Sequence, residues 1–336
     1  RNKVRSAMAI IGVFGCTALI VCALSMNHSM EVLKVWQYEI TNKYESKLIL
    51  SENSNGEQID GEPIMEDSIE IRANGVKKSG AILVTDNTTL IANTDMNLNP
   101  VELSHDGVSI TAKLAEKLNV CVGDSVEWHI YGNEGWITGE IAAIYRAPVS
   151  QGITMSREYL ESLGLTYRTT AILSADVVTT RPNGVETIES TSDASAGWDD
   201  MTEAMYIMVY LLIIAAAVLA IVVLYNLGLL SFTEMEREMA TLKVMGLKSG
   251  KLRGLLLTQN LWFSLIGFAL GVPGGLRLID VIVSYSGDSF DFPVTLSVSV
   301  FVISAVFTFG LSVLVNRLFS RKIRRLNMVE VLKSAE

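Results

Sequence analysis

The stretch Ser231–Leu247, SFTEMEREMATLKVMGL, is a short charged run between two long apolar ones. At 3.6 residues per turn, Met235, Met239, Leu242 and Met245 fall on one stripe, and Glu234, Arg237, Glu238 and Thr241 fall on another. Thr233 and Glu236 have capping-box spacing and Gly246 is a stop signal, which predicts a separate amphipathic helix over 233–246. A helix this short is marginal alone in water. Its apolar stripe needs cover from the membrane surface, from neighbouring helices, or from a second protein.

Working outward, four runs are long and free of charge: 7–26, 206–230, 255–276 and 296–315. Each has the roughly 20 residues that cross a hydrocarbon core. Four such runs are hard to hide in a soluble fold, and with 49% apolar and 19% charged residues the chain reads as a membrane protein. The charges sort by segment. Residues 1–6, 231–254 and 316–336 together carry 14 Lys/Arg against 5 Asp/Glu, whereas residues 27–205 carry 12 against 28. This positive-inside pattern places both ends in the cytoplasm and the large acidic segment outside. The acidic balance excludes a nucleic-acid partner. The expected fold class is membrane α-helical with four transmembrane helices, plus an extracellular α+β domain between the first and second helices.

The domains follow. Residues 1–45 form the first crossing with an outer stalk reaching about Tyr44. Residues 46–200 form the outer domain, and residues 201–336 hold three crossings, the inner helix and an amphipathic cytoplasmic tail (316–336; Leu326, Val329, Leu332). Within the outer domain, 47–50, 81–85, 89–92, 126–131, 136–145, 153–155 and 169–173 read as strands, and 110–118 and 157–163 as helices. Residues 191–196 read as a polar approach to the second crossing. The chain opens at Arg1 without an initiator Met and reads as a piece of a longer polypeptide. The third crossing carries tandem GxxxG spacing at Gly267, Gly271 and Gly275, and the fourth has Ser304, Thr308 and Ser312 at four-residue spacing. Both patterns are helix-packing faces.

Sites of chemistry are sparse. Cys16 and Cys22 lie in the first crossing and Cys121 stands alone outside, which gives neither a disulfide framework nor a metal cluster. His28, His105 and His129 are far apart and read as surface or strand histidines. Asp199-Asp200 reads as a solvated acidic face. Ser109, Ser156 and Cys121 lack a nucleophile's surroundings. Arg277 and Asp280 read as a structural pair at a helix end. No catalytic, metal or cofactor residues are expected in this chain, and it holds no GxxxxGK[ST] for ATP.

One crossing, an outer domain and three further crossings, together with Val223-Leu224-Tyr225-Asn226-Leu227 and the run Glu236–Gly246, resemble the FtsX-like permease family, including its MacB-type and LolC-type members. The tail Leu326–Ser334, the run Gly107–Val126 and the opening RNKVRSAMAIIGVFG are similar to further family segments. In detail the chain looks like the second half of a large Gram-positive member. The resemblance implies a permease subunit of an ABC-type complex in a bacterial plasma membrane, without enzymatic activity of its own. ATP and Mg would be bound by a separate cytoplasmic ABC ATPase subunit. That subunit would dock on a coupling helix through Met235, Glu236, Arg237, Glu238, Met239, Thr241, Leu242, Lys243, Met245 and Gly246. Other implied partners are the second permease half or a second copy, the lipid bilayer, and an extracellular substrate or protein. The implied work is export or extraction of a peptide, lipid or lipoprotein. The alternative is a non-transporting scaffold that activates a wall hydrolase or sensor kinase.

Overall fold

Among the described residues, four helices are long and apolar enough to cross a membrane, with spans Ala7–Thr41, Thr191–Val223, Leu261–Tyr285 and Val298–Val315. The structure, a computed structural model, describes every residue except 1, 53, 55, 57–58, 87, 103–105, 134, 245–248, 286 and 325–336. For 2–6, 224, 227–244, 249–257, 259–260, 316 and 318–324 it describes the backbone alone. A strand-rich domain lies between the first and second of these helices in the chain. Contacts group residues 30–203 and 286–293 into one unit, and 1–29, 204–285 and 294–336 into another.

In chain order, α1 (Asn2–Val35) continues as a π-helical turn, Trp36–Thr41. Then come β1 (Ser46–Leu50), β2 (Glu62–Ala73), β3 (Val76–Val84), β4 (Asn93–Thr94), β5 (Pro100–Val101) and β6 (Val108–Thr111). Next are α2 (Ala112–Leu118), β7 (Ser125–Ile130), β8 (Ile137–Tyr145), β9 (Gly152–Met155), α3 (Arg157–Ser162), β10 (Ala171–Ser174) and β11 (Val185–Ser190). The chain ends in α4 (Thr191–Val244), α5 (Ser249–Tyr285) and α6 (Val298–Arg324).

The long strand β2 organises the domain. Its first residues pair with β10, extending the antiparallel order β11–β1–β10. Its remainder pairs with β3 on one side and β7 on the other, so β2–β3–β9–β6–β8–β7 closes on itself as a six-stranded barrel. Closure removes exposed strand edges. The hairpin that starts it is Asn74-Gly75, both with positive φ (51° and 78°), the conformation a two-residue turn needs. Ile69 and Ile71 point into the core at strand alternation while Glu70 and Arg72 stay outside. The core also takes Ile82, Val108, Ile110, Trp128 and Ile141, and α2 adds Leu114 and Leu118. Gly152 is obligatory, because a Cβ there would lie 1.8 Å from the Ala81 carbonyl of the parallel neighbour β3.

Several elements differ from the sequence reading. Residues 89–92 form no strand; Ile91 makes an isolated bridge to Asn42. Residues 108–111 are strand, and the helix starts only at Ala112, because parallel pairing of β6 with β8 claims Val108–Thr111. β2 and β11 are strands that the reading left out. Residues 191–196 are already helical, with Thr191 at the start and Asp193 in the first turn, where a negative charge favours a helix N-terminus.

Candidate functional site

Within the charged stretch, residues 231–244 are not a separate helix. Their backbone is the last part of α4, which runs unbroken through Thr233 to Val244. A helix fed directly by an apolar crossing already has partners for its N–H groups, so Thr233 has no end to cap. Met235 through Lys243 therefore sit on a continuous rod whose side chains lie outside the described set, as do Met245 and Gly246 altogether. The tail positions Leu326, Val329 and Leu332 also lie outside the described residues.

The helix-packing residues come together. A Cβ on Gly267 would meet the Val13 Cβ at 2.6 Å, one on Gly271 the Thr17 Cβ at 2.6 Å, and one on Gly275 the Ala18 carbonyl at 2.7 Å. The GxxxG stripe of α5 is thus the surface on which α1 lies, at a spacing that only glycine allows. Gly12 of α1 takes Val223 of α4 in the same way. α6 joins through Ser264 Oγ donating to Ser312 Oγ at 2.8 Å, a 3.4 Å contact between the Thr17 and Thr308 hydroxyls, and the rings of Phe268, Phe301 and Phe309. Ser304 instead donates to the Phe301 carbonyl of its own helix, which satisfies its hydroxyl locally. Arg277 and Asp280 form an exposed pair at 3.5 Å.

A second constellation escaped the sequence reading. In the strand-rich unit, three chain passages meet at one place: the end of α1 with its π-helical turn, the start of α4, and the segment 287–293 that follows α5. The guanidinium of Arg146, just after β8, donates Nε to Asp291 Oδ2 at 2.7 Å and Nη2 to Oδ1 at 2.8 Å. The two side chains are only 16% and 17% exposed. Such a two-bond fork is the strong form of an ion pair, provided both partners are present. The same guanidinium lies 5.0 Å from the centre of the Trp36 ring, a cation–π contact. Trp36 donates Nε1 to Thr94 Oγ1 at 3.1 Å.

Around this fork the passages are tied pairwise. Lys34 of α1 holds Asp199 of α4 at 2.7 Å, and Tyr38 donates its hydroxyl to the Ala194 carbonyl. The Trp198 ring meets Tyr38 and Phe290 edge-on. Phe290 bridges to Val149, and the Asp291 N–H donates to the Pro148 carbonyl at 3.0 Å. Lys78 of β3 donates to Asp288 at 2.6 Å, with Lys117 of α2 at 3.7 Å. Hydrogen bonding from Lys78 holds the Asp288 carboxyl below its ordinary range. Lys113 donates to the Phe290 carbonyl, and burial pulls its ammonium below the ordinary lysine value.

The remaining candidates are structural. His129 bonds Glu70 at 3.0 Å and packs edge-on against Trp136. Ser156 caps α3 by accepting from the Tyr159 N–H. Asp199 belongs to the junction. His105 lies outside the described residues. No three His, Cys, Asp or Glu side chains gather as a metal site among the described residues.

Residues 210–328 match the family model of the FtsX-like permease C-terminal domain. No curated protein matches the chain.

Proposed function

We propose that this chain, whose residues 210–328 match the FtsX-like permease C-terminal domain, is the permease component of an ABC-type complex whose work is mechanical. Permeases of this family generally work with ABC ATPase partners, so ATP binding and hydrolysis belong to a separate cytoplasmic subunit. That subunit docks on the inner end of α4, the rod that carries Met239 and Leu242. Force enters there and leaves at the junction around Arg146 and Asp291.

The observation that carries this reading is that the end of α1, the start of α4 and the 287–293 segment are tied to one another beside the Arg146–Asp291 ion pair. Helix ends tied into the strand-rich domain by such a clamp pass their displacement to it. The unbroken helicity of α4 from Thr191 to Val244 supports the same reading, since a continuous helix carries displacement with little loss. The charge pattern orients the proposal: both ends of the chain inside, the strand-rich domain outside, in a bacterial plasma membrane. The cargo class is a peptide, lipid or lipoprotein, moved as in MacB-type machines.

Two experiments test it. Met239→Asp with Leu242→Asp abolishes co-purification of an ABC ATPase while membrane insertion stays intact; unchanged co-purification contradicts the docking. The native thiol of Cys121 is exposed whereas Cys16 and Cys22 are buried. In whole cells an impermeant maleimide labels Cys121 and fails to label a cysteine introduced at Lys248. The reverse pattern overturns the orientation.

A further inference from the structure

The strand-rich domain contains a cleft of about 530 Å³, walled by the π-helical turn Trp36–Thr41, the start of β1, β2, β3, β9 and the segment after β8. That size is within the range of small-ligand sites. The Thr41 hydroxyl, on the π-helical turn, is buried and without a hydrogen-bond partner among the described residues. A buried polar atom left unpaired is costly, so a wall that keeps one is a wall short of a partner. Ser150, which also lines the cleft, holds a left-handed φ of 57°, which a serine adopts at a cost. π-helical turns and such backbone strain gather at functional sites.

We propose that this cleft binds a short basic peptide. Its charged groups are Lys47, Glu66 and Asp67. Lys47 is already paired to Glu66, and Asp67 has no cationic partner among the described residues, so the wall carries one uncompensated negative charge. A ligand that fills it brings a positive charge, and the acid surplus of residues 27–205 draws such ligands in. The wall carries both amide and hydroxyl groups (Gln37, Thr41, Asn93) and apolar side chains (Leu83, Ile91, Val149). That mixture suits a peptide, whose backbone needs hydrogen bonds and whose side chains need apolar cover. A sugar calls for an open aromatic platform. Of the two tyrosines that line the cleft, Tyr145 is buried with its hydroxyl on Thr154 at 2.7 Å, which leaves the Tyr44 ring without a second ring to complete a platform.

Binding at the cleft needs neither the ATPase nor the junction, so its failure is separate from failure of the permease reading. The test uses the full chain in nanodiscs and fluorescein-labelled tetrapeptides followed by anisotropy. Ala-Lys-Leu-Ala binds, and Ala-Glu-Leu-Ala does not. Asp67→Asn weakens the lysine peptide about tenfold, the size expected for one charge-assisted hydrogen bond. Ala147→Trp, which fills the cleft from its rim, abolishes binding, and Asp176→Asn, an exposed acid outside the cleft, leaves it unchanged. An unaltered circular dichroism spectrum shows that the variants fold. Equal binding of the two peptides, no binding of either, binding of chitobiose in their place, or affinity unchanged in both cleft variants overturns the proposal.

Discussion

The helix seam and the junction hold the protein together by opposite means. In the seam, Gly267, Gly271 and Gly275 let α5 approach α1 so closely that no side chain fits between them, and hydroxyl pairs replace charges. In hydrocarbon there is no hydrophobic gain from helix association, so close van der Waals contact and a few hydrogen bonds must suffice. The junction instead uses a forked ion pair, four aromatic rings and lysines on loop acids. Its partners come from chain passages that no local rule brings together. A seam of many weak contacts fails gradually. A clamp of few strong ones fails when one partner is removed.

That contrast can be broken experimentally, starting where the effect is largest. Asp291→Ala leaves the Arg146 guanidinium buried and unpaired, at a cost of about 3–5 kcal/mol. The unfolding midpoint of the strand-rich domain, followed by tryptophan fluorescence, falls accordingly. Arg146→Met with Asp291→Leu recovers most of the loss, because an apolar pair of similar volume carries no stranded charge. Gly275→Leu drives a side chain into the Ala18 backbone and costs about 1–3 kcal/mol, read as a lower melting temperature of the helices in detergent.

Ser264→Ala removes one hydroxyl bond to Ser312 and costs about 0.6 kcal/mol by the same measurement. The smallest effect is that of acid on Asp288. Its carboxyl is held below the ordinary 3.8 by Lys78, so its stabilising contribution is complete above that value and is lost as pH falls through the depressed one. Proteolysis near residue 288 should therefore accelerate only in acid below the usual aspartate range, and Lys78→Ala should abolish that pH dependence.

The seam was legible because its signal is local: glycines four residues apart on one helix predict one close face whatever lies opposite. The strands of 125–145 were legible through their alternation and turn residues. β2 was missed although Asn74-Gly75 marks its hairpin, because Pro63 and the acids of EPIMEDSIEIRA mask an alternation that becomes clean only at Ile69 and Ile71. The stretch 231–244 carries a true helix pattern, but its capping-box spacing suggests a start where α4 simply continues. The junction left no trace, since Arg146 and Asp291 stand 145 residues apart and each looks like an ordinary surface charge.

The central claim is that motion reaches the strand-rich domain through this junction. Spin labels at Glu203→Cys and Asp176→Cys, in the proposed complex with an ABC ATPase reconstituted in nanodiscs, measure it by pulsed dipolar spectroscopy with and without ATP and vanadate. In a chain that also carries Cys121→Ser the distance distribution shifts on ATP binding, and with Arg146→Ala and Asp291→Ala added the shift disappears while ATPase docking persists. A shift that survives undiminished in that variant contradicts the account.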